Sequence, residues 1–325
     1  MKKGTFLVMS SAVLLTGCVK APQDDVKMYT ASSAALIEQV DNLVAEYQQA
    51  SFDRKLTMLA NQVNGQNDTL LSSTNLADIE PQVMPANSPI LLASRTIKVY
   101  SEALFSLASA ETAIDTELAS IELYRSLNQI NLSAATLEQF EAQAPFSDDD
   151  IRLFSSLFSQ LSHAYSETEK QQAIKQIVLE ADPVVASLCD DMIMRIEQSN
   201  IAMALASSRA YVLAEEIRDF NQRVQIRSIA LNKSRKEVEY LYRRWQESAT
   251  TQMAVTQTLK ALRSVKNNHH LLASELSKDI FASASLQQAI NEMQSLKQGF
   301  ETVEQLLATC QGDIVRKDNQ LVCQS

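Results

Sequence analysis

The sequence predicts an all-α protein, an elongated helical bundle built on long antiparallel helices with coiled-coil-like packing. Three observations carry this expectation. Glycine is scarce: beyond residue 17 only Gly65, Gly299 and Gly312 occur, too few for the turns that sheets require. Between Val184 and Gln298 there is neither glycine nor proline. Within that stretch, alternating four- and three-residue steps from Val185 to Leu262 visit 23 positions, of which 18 are apolar, the seven-residue repeat of a coiled-coil seam.

The elements follow in order. A first helix is expected from Ser32 to Val63, with Leu36, Val40, Leu43, Tyr47, Phe52, Leu56 and Leu59 forming an amphipathic stripe. Gly65-Gln66-Asn67-Asp68 ends it, and a short helix near Leu70–Ile79 breaks a proline-bearing connection. Ser88-Pro89 pairs a capping hydroxyl with proline at the first helical position, opening a helix expected to run to Asn128 through Ile97, Tyr100, Leu104, Leu107, Ile114, Leu118 and Ile121. A shorter helix is expected at Ala134–Ala144. Ser147-Asp148-Asp149-Asp150 then caps a helix reaching Asp182-Pro183; capping explains the aspartates better than calcium, because the alternating ligands and turn glycine of a calcium loop are absent.

The seam positions after Pro183 predict one long helix, with a bend possible near Ser199 or Ser248–Gln252. Lys266-Asn267-Asn268-His269-His270 reads as a helix–helix turn, followed by a return helix from Leu271 to Thr309 and a tail beyond Gly312. The organisation expected is therefore 1–17, a signal peptide; 18–31, a tether; 32–182, a helical bundle; 183–310, a long helical hairpin; and 311–325, a tail.

Residues 1–18 bear on location. Lys2 and Lys3 precede roughly ten mostly apolar residues, Phe6 to Leu15, too few to span a bilayer. The following Leu15-Thr16-Gly17-Cys18 resembles the lipobox of bacterial lipoproteins. The resemblance implies cleavage between Gly17 and Cys18, a diacylglyceryl group on the Cys18 thiol and an acylated new amine. Two or three acyl chains anchor a protein stably where one does not. Val19, standing where an inner-membrane lipoprotein would tend to carry Asp, implies the outer membrane of a two-membrane host, with the body facing the periplasm.

Loss of Lys2 and Lys3 would take the formal charge from −10 to −12, which argues against a general nucleic-acid binder. The charge is uneven: residues 101–194 carry 4 basic and 16 acidic side chains, and residues 195–266 carry 13 basic and 7 acidic. These faces neutralise each other within the bundle, leave a basic face for an anionic envelope component such as lipid head groups or lipopolysaccharide, or dock a partner protein.

The chain offers little to catalysis. The nucleophile elbow, the P-loop, the dinucleotide fingerprint and the His-Glu-x-x-His pattern are all missing. Adjacent His269 and His270 point about 100° apart on a helix and, even with Glu275, make a poor metal site. His163 and Glu167 read as a surface pair. No catalytic residue, metal or cofactor is expected. Trp245 on the seam, with Tyr240, Tyr242, Arg243 and Arg244 around it, is either a broad core layer or an interface cluster. Cys310 and Cys323 flank a short loop and form the natural disulfide in an oxidising compartment. A hairpin folded about residue 268 would leave Cys189 roughly 55 Å from Cys310 and free. The function expected is a lipid-anchored helical scaffold or adaptor that binds an envelope protein partner. The rivals are a carrier or sensor of an apolar ligand, suited by Met192, Met194 and Met203, and an envelope hydrolase.

Overall fold

A computed structural model describes residues 23–64, 71–77, 88–112, 115, 167–278, 283–309, 313–317 and 320–324. The fold is all-α: α1 (Gln23–Asn64), α2 (Ser73–Ala77), α3 (Pro89–Ser109), α4 (Glu167–Gln198), α5 (Ile201–Gln225), α6 (Leu231–Ser277) and α7 (Ser283–Thr309), followed by a two-stranded hairpin, β1 (Asp313–Lys317) and β2 (Gln320–Gln324).

Helix α1 begins nine residues earlier than expected. Val26 and Tyr29 extend its apolar stripe backwards and are buried, while Asp24 and Asp25 occupy the first turn, where the helix dipole favours them. Residues 23–31 are thus helix, buried at Asp25, Val26, Tyr29 and Thr30, rather than tether. Helix α3 starts as expected, with Leu91 N–H donating to the Ser88 hydroxyl and Pro89 in the first turn. It stops at Ser109, well short of Asn128. Lys170 of α4 donates to the Ala110 carbonyl at 2.6 Å, and Thr112 and Asp115 cap each other's backbone N–H groups at 3.1 Å, a box that opens a new turn. Ile114, Leu118, Ile121 and the helices expected between residues 134 and 166 lie outside the described residues.

Pro183 does not end a helix. It sits inside α4, so the boundary expected at 182/183 falls within one element. Proline removes only its own N–H and leaves the carbonyl four residues back, on Leu179, without a helical donor. The single helix expected after it divides at two places. Asn200 takes a left-handed conformation with φ 53°, which asparagine tolerates better than most residues, close to the bend foreseen at Ser199. The second break, at residues 226–230, was not foreseen. Arg227 is also left-handed, Ser228 N–H donates to the Arg223 carbonyl and Arg227 N–H to that of Val224, a Schellman closure usually made by glycine.

The turn expected at Lys266–His270 does not form. Helix α6 runs through both Ser248–Gln252 and Asn268 to Ser277, about 70 Å at helical rise. Its polar residues find partners instead: Asn268 donates to Ser264 and to the Ala289 carbonyl of α7. The long hairpin is therefore α4–α5 against α6, turning at 226–230, and α7 folds back from the other end. Ion pairs Lys266–Asp190 and Arg263–Glu197 set α4 antiparallel to α6; Tyr29–Val265 and Asp53–Arg244 set α1 antiparallel to it as well.

The main core lies where α1, α3, α4, α6 and α7 meet, around Leu36, Ile37, Val40, Ile97, Leu104, Ile177, Met192, Leu262 and Ile290. The seam is buried at Val185, Cys189, Met192 and Ile196 and again at Val255 and Leu262, but exposed at Met203, Ile217, Val224, Val238 and Trp245. Residues 313–317 and 320–324, expected as tail, pair as antiparallel strands with Ile314 opposite Cys323 and Val315 opposite Val322. Apolar residues on either side of Asp318-Asn319 are the hairpin signal that the helical reading passed over.

Candidate functional site

Two features stand out, one sealed in the core and one on the surface. In the core, His269 of α6 is fully buried between Tyr29 of α1 and Tyr100 of α3, with ring centroids 5.8 and 5.6 Å away. Its Nδ1 lies 3.0 Å from Asp182 Oδ1 and its Nε2 lies 2.9 Å from the Tyr100 hydroxyl. His270 reaches the other Asp182 oxygen at 2.8 Å.

The chemistry fixes the direction of this chain. The hydrogen bond from His269 holds the Asp182 carboxyl below its usual range despite desolvation, so the carboxylate only accepts. His269 Nδ1–H therefore donates to Asp182, leaving Nε2 to accept from Tyr100 O–H. Burial keeps His269 neutral by lowering its pKa and pushes the Tyr100 phenol well above its ordinary value. This Asp–His–Tyr order ends on a buried phenol and joins α3, α4 and α6. His269 is thus core and exposed His270 a second partner of Asp182, rather than the two forming a turn. Glu275 is engaged elsewhere, by Lys278 at 2.6 Å, and no group of His, Cys, Asp or Glu among the described residues could hold a metal.

On the surface, α5 and α6 form an antiparallel pair that α1 covers on one side only. Arg209 clamps the three helices, reaching Thr251 at 2.8 Å and Glu46 at 3.0 Å. Arg244 lies between Asp53 of α1 at 3.4 Å and Glu247 at 3.3 Å, and Asn61 of α1 donates to Glu215 at 2.7 Å. These pairs are where the basic stretch meets acidic side chains. Ile217 and Val224 are seven residues apart on α5, and Val238 and Trp245 likewise on α6, so each pair shares a face. Ile217 stands about 200° from Glu215, and Trp245 the same from Glu247, which places all four on the side away from α1. All are exposed, Trp245 by 54%, with Trp245 stacked on Tyr242 at 5.8 Å.

Trp245 is thus on the surface rather than a core layer. Arg243 beside it is exposed and Arg244 is spent on ion pairs. Gly17, Cys18, His163 and Cys310 lie outside the described residues. Cys189 is a buried free thiol whose pKa burial pushes to about 12, and Cys323 is exposed on β2. Two half-open grooves flank α1. One, of about 360 Å³, lies among Asn42, Glu46, Arg209, Glu247 and Phe300; the other, of about 440 Å³, lies among Asn61, Glu216, Asp219, Arg223 and Glu237. Neither is lined by methionine: Met192 is core, and Met194 and Met203 are exposed. Among the described residues no helix is long and apolar enough to cross a membrane. No family model, curated protein or solved structure matches the chain.

Proposed function

We propose that the protein is a lipid-anchored scaffold or adaptor of a bacterial envelope, acting through protein–protein interaction rather than turnover. Cys18 is its lipidation site, the outer membrane its location and the periplasm the compartment its body faces. Cys310 and Cys323 form a disulfide; the strand register, which sets Cys323 opposite Ile314 only four residues after Cys310, supports this pairing.

The observation that carries the reading is the open face of α5 and α6. Ile217, Val224, Val238 and Trp245 continue the coiled-coil spacing where no further described helix covers it, and exposed apolar patches of this kind mark interaction sites. The face suits an amphipathic helix of an envelope protein, laid along the groove between α5 and α6.

The test is a photocrosslinker placed at Val238 in living cells, with Glu301 on α7 as the control position. A specific adduct at 238, whose purified partner binds the parent protein and not V238D/W245D, supports the adaptor. Equal yields at both positions, or a partner indifferent to those substitutions, refute it. Metabolic labelling with a fatty acid tests the anchor separately: Cys18→Ser should abolish the label, and an equally labelled variant would disprove lipidation there.

A further inference from the structure

We propose that the tip of the α5–α6 hairpin, residues 224–236, is a docking site for an anionic lipid surface. The inference is separable from the adaptor reading, because it shares only Val224 with the open face and does not use the Cys18 anchor.

The chain carries a formal charge of −10, yet these residues contain Arg227, Lys233, Arg235 and Lys236 with no carboxylate among them. All four side chains are exposed. Most cations elsewhere along this hairpin are met within the fold: Arg223 holds Glu237 through two bonds of 2.9 and 2.6 Å, and Arg209 and Arg244 are tied to α1, while exposed Arg243 and Lys260 stand singly rather than clustered. Among the described residues, Arg235 is the tip cation that forms an ion pair, with Glu239 at 3.0 Å. Arg227, Lys233 and Lys236 make no ion pair with a described residue; Lys233 comes within electrostatic reach of Glu237, whose charge Arg223 already meets.

Charge complementarity therefore names an anionic occupant, and the apolar residues narrow it to a lipid surface. Ile226 is 68% exposed at the apex, with Val224 exposed beside it. A hydrophilic polyanion has no use for an apolar apex, whereas a headgroup layer takes up both the cations and the aliphatic side chain. The left-handed Arg227 turns the chain there, holding Ile226 outward at the end of two rigid helices. The tip also lies at the opposite end of the bundle from the start of α1, whose 42 residues span about 63 Å. It is a contact distinct from any N-terminal anchor.

The experiment is co-sedimentation of the chain lacking residues 1–18, which keeps every described residue, with vesicles of phosphatidylcholine alone or mixed with phosphatidylglycerol. Binding is expected only with phosphatidylglycerol and is expected to weaken with added salt. R227E/K233E/K236E should lower it at least about a hundredfold, roughly fivefold for each of the three cations lost, and I226D should weaken it with its salt dependence retained. V238D/W245D should bind vesicles like the parent, which separates this result from failure of the adaptor reading. Circular dichroism confirms that the variants remain folded. Equal binding to both vesicle types, an undiminished charge-reversed variant, or absence of vesicle binding beside capture of soluble polyglutamate would overturn the proposal.

Discussion

His269 and Asp182 meet 3.0 Å apart, joining the last quarter of α6 to the residue just before the proline that α4 carries in its interior. The contact has a consequence for stability. Burial lowers the pKa of His269, so the unfolded chain binds a proton more readily than the folded one. The stabilisation is complete above the ordinary histidine value near 6.5 and is lost as pH falls through the lower folded value. Asp182, whose pKa is also lowered, loses its contribution further down, below the usual carboxylate range. Urea unfolding from pH 7.5 to 5 should show a fall in stability that His269→Gln flattens. An identical pH slope in the variant would refute the assignment.

Tyr100→Phe leaves His269 Nε2 buried without a donor, and should cost about 1–3 kcal/mol. Tyr29→Phe should cost less, because its hydroxyl bonds at 3.4 Å to a helical carbonyl, that of Val265. Denaturant melts of the two variants give the comparison, and equal losses would contradict the chain of bonds drawn above.

Cys189 should be inert while the protein is folded, since its thiolate is disfavoured by burial up to about pH 12. Iodoacetamide at pH 8 should leave it unmodified until denaturant is added. Peptide mapping without reduction should recover Cys310 joined to Cys323; a bridge to Cys189 would exclude that pairing.

The two left-handed residues should respond oppositely to glycine and alanine. Arg227→Gly relieves the backbone at a helix end and should be neutral or stabilising, by up to about 1 kcal/mol, whereas Asn200→Ala should destabilise by about 1 kcal/mol. Thermal melts decide both, and a stabilising Asn200→Ala would show that the break after α4 is not held by that conformation.

The fold class, the start of α3 at Ser88-Pro89 and the long seam were legible in the sequence because they depend on neighbours a few residues away: glycine scarcity, a cap, a repeat of seven. The resemblance of residues 15–18 to a lipobox is likewise local. What only the tertiary structure decided were the places where distant residues outbid local propensity. Asn268 and His269 look like a turn until α7, Tyr100 and Asp182 satisfy them, and α6 then continues as helix. Pro183 looks like a terminus until packing on α6 holds α4 together around it. Arg227 carries no mark of a chain reversal, since its left-handed turn is sustained by the antiparallel pairing of α5 with α6. The seam of seven gave no sign of where its partner stopped, so Trp245 read equally as core or interface. Helical periodicity records which side chains share a face, and only the arrangement of the other helices determines whether that face is covered.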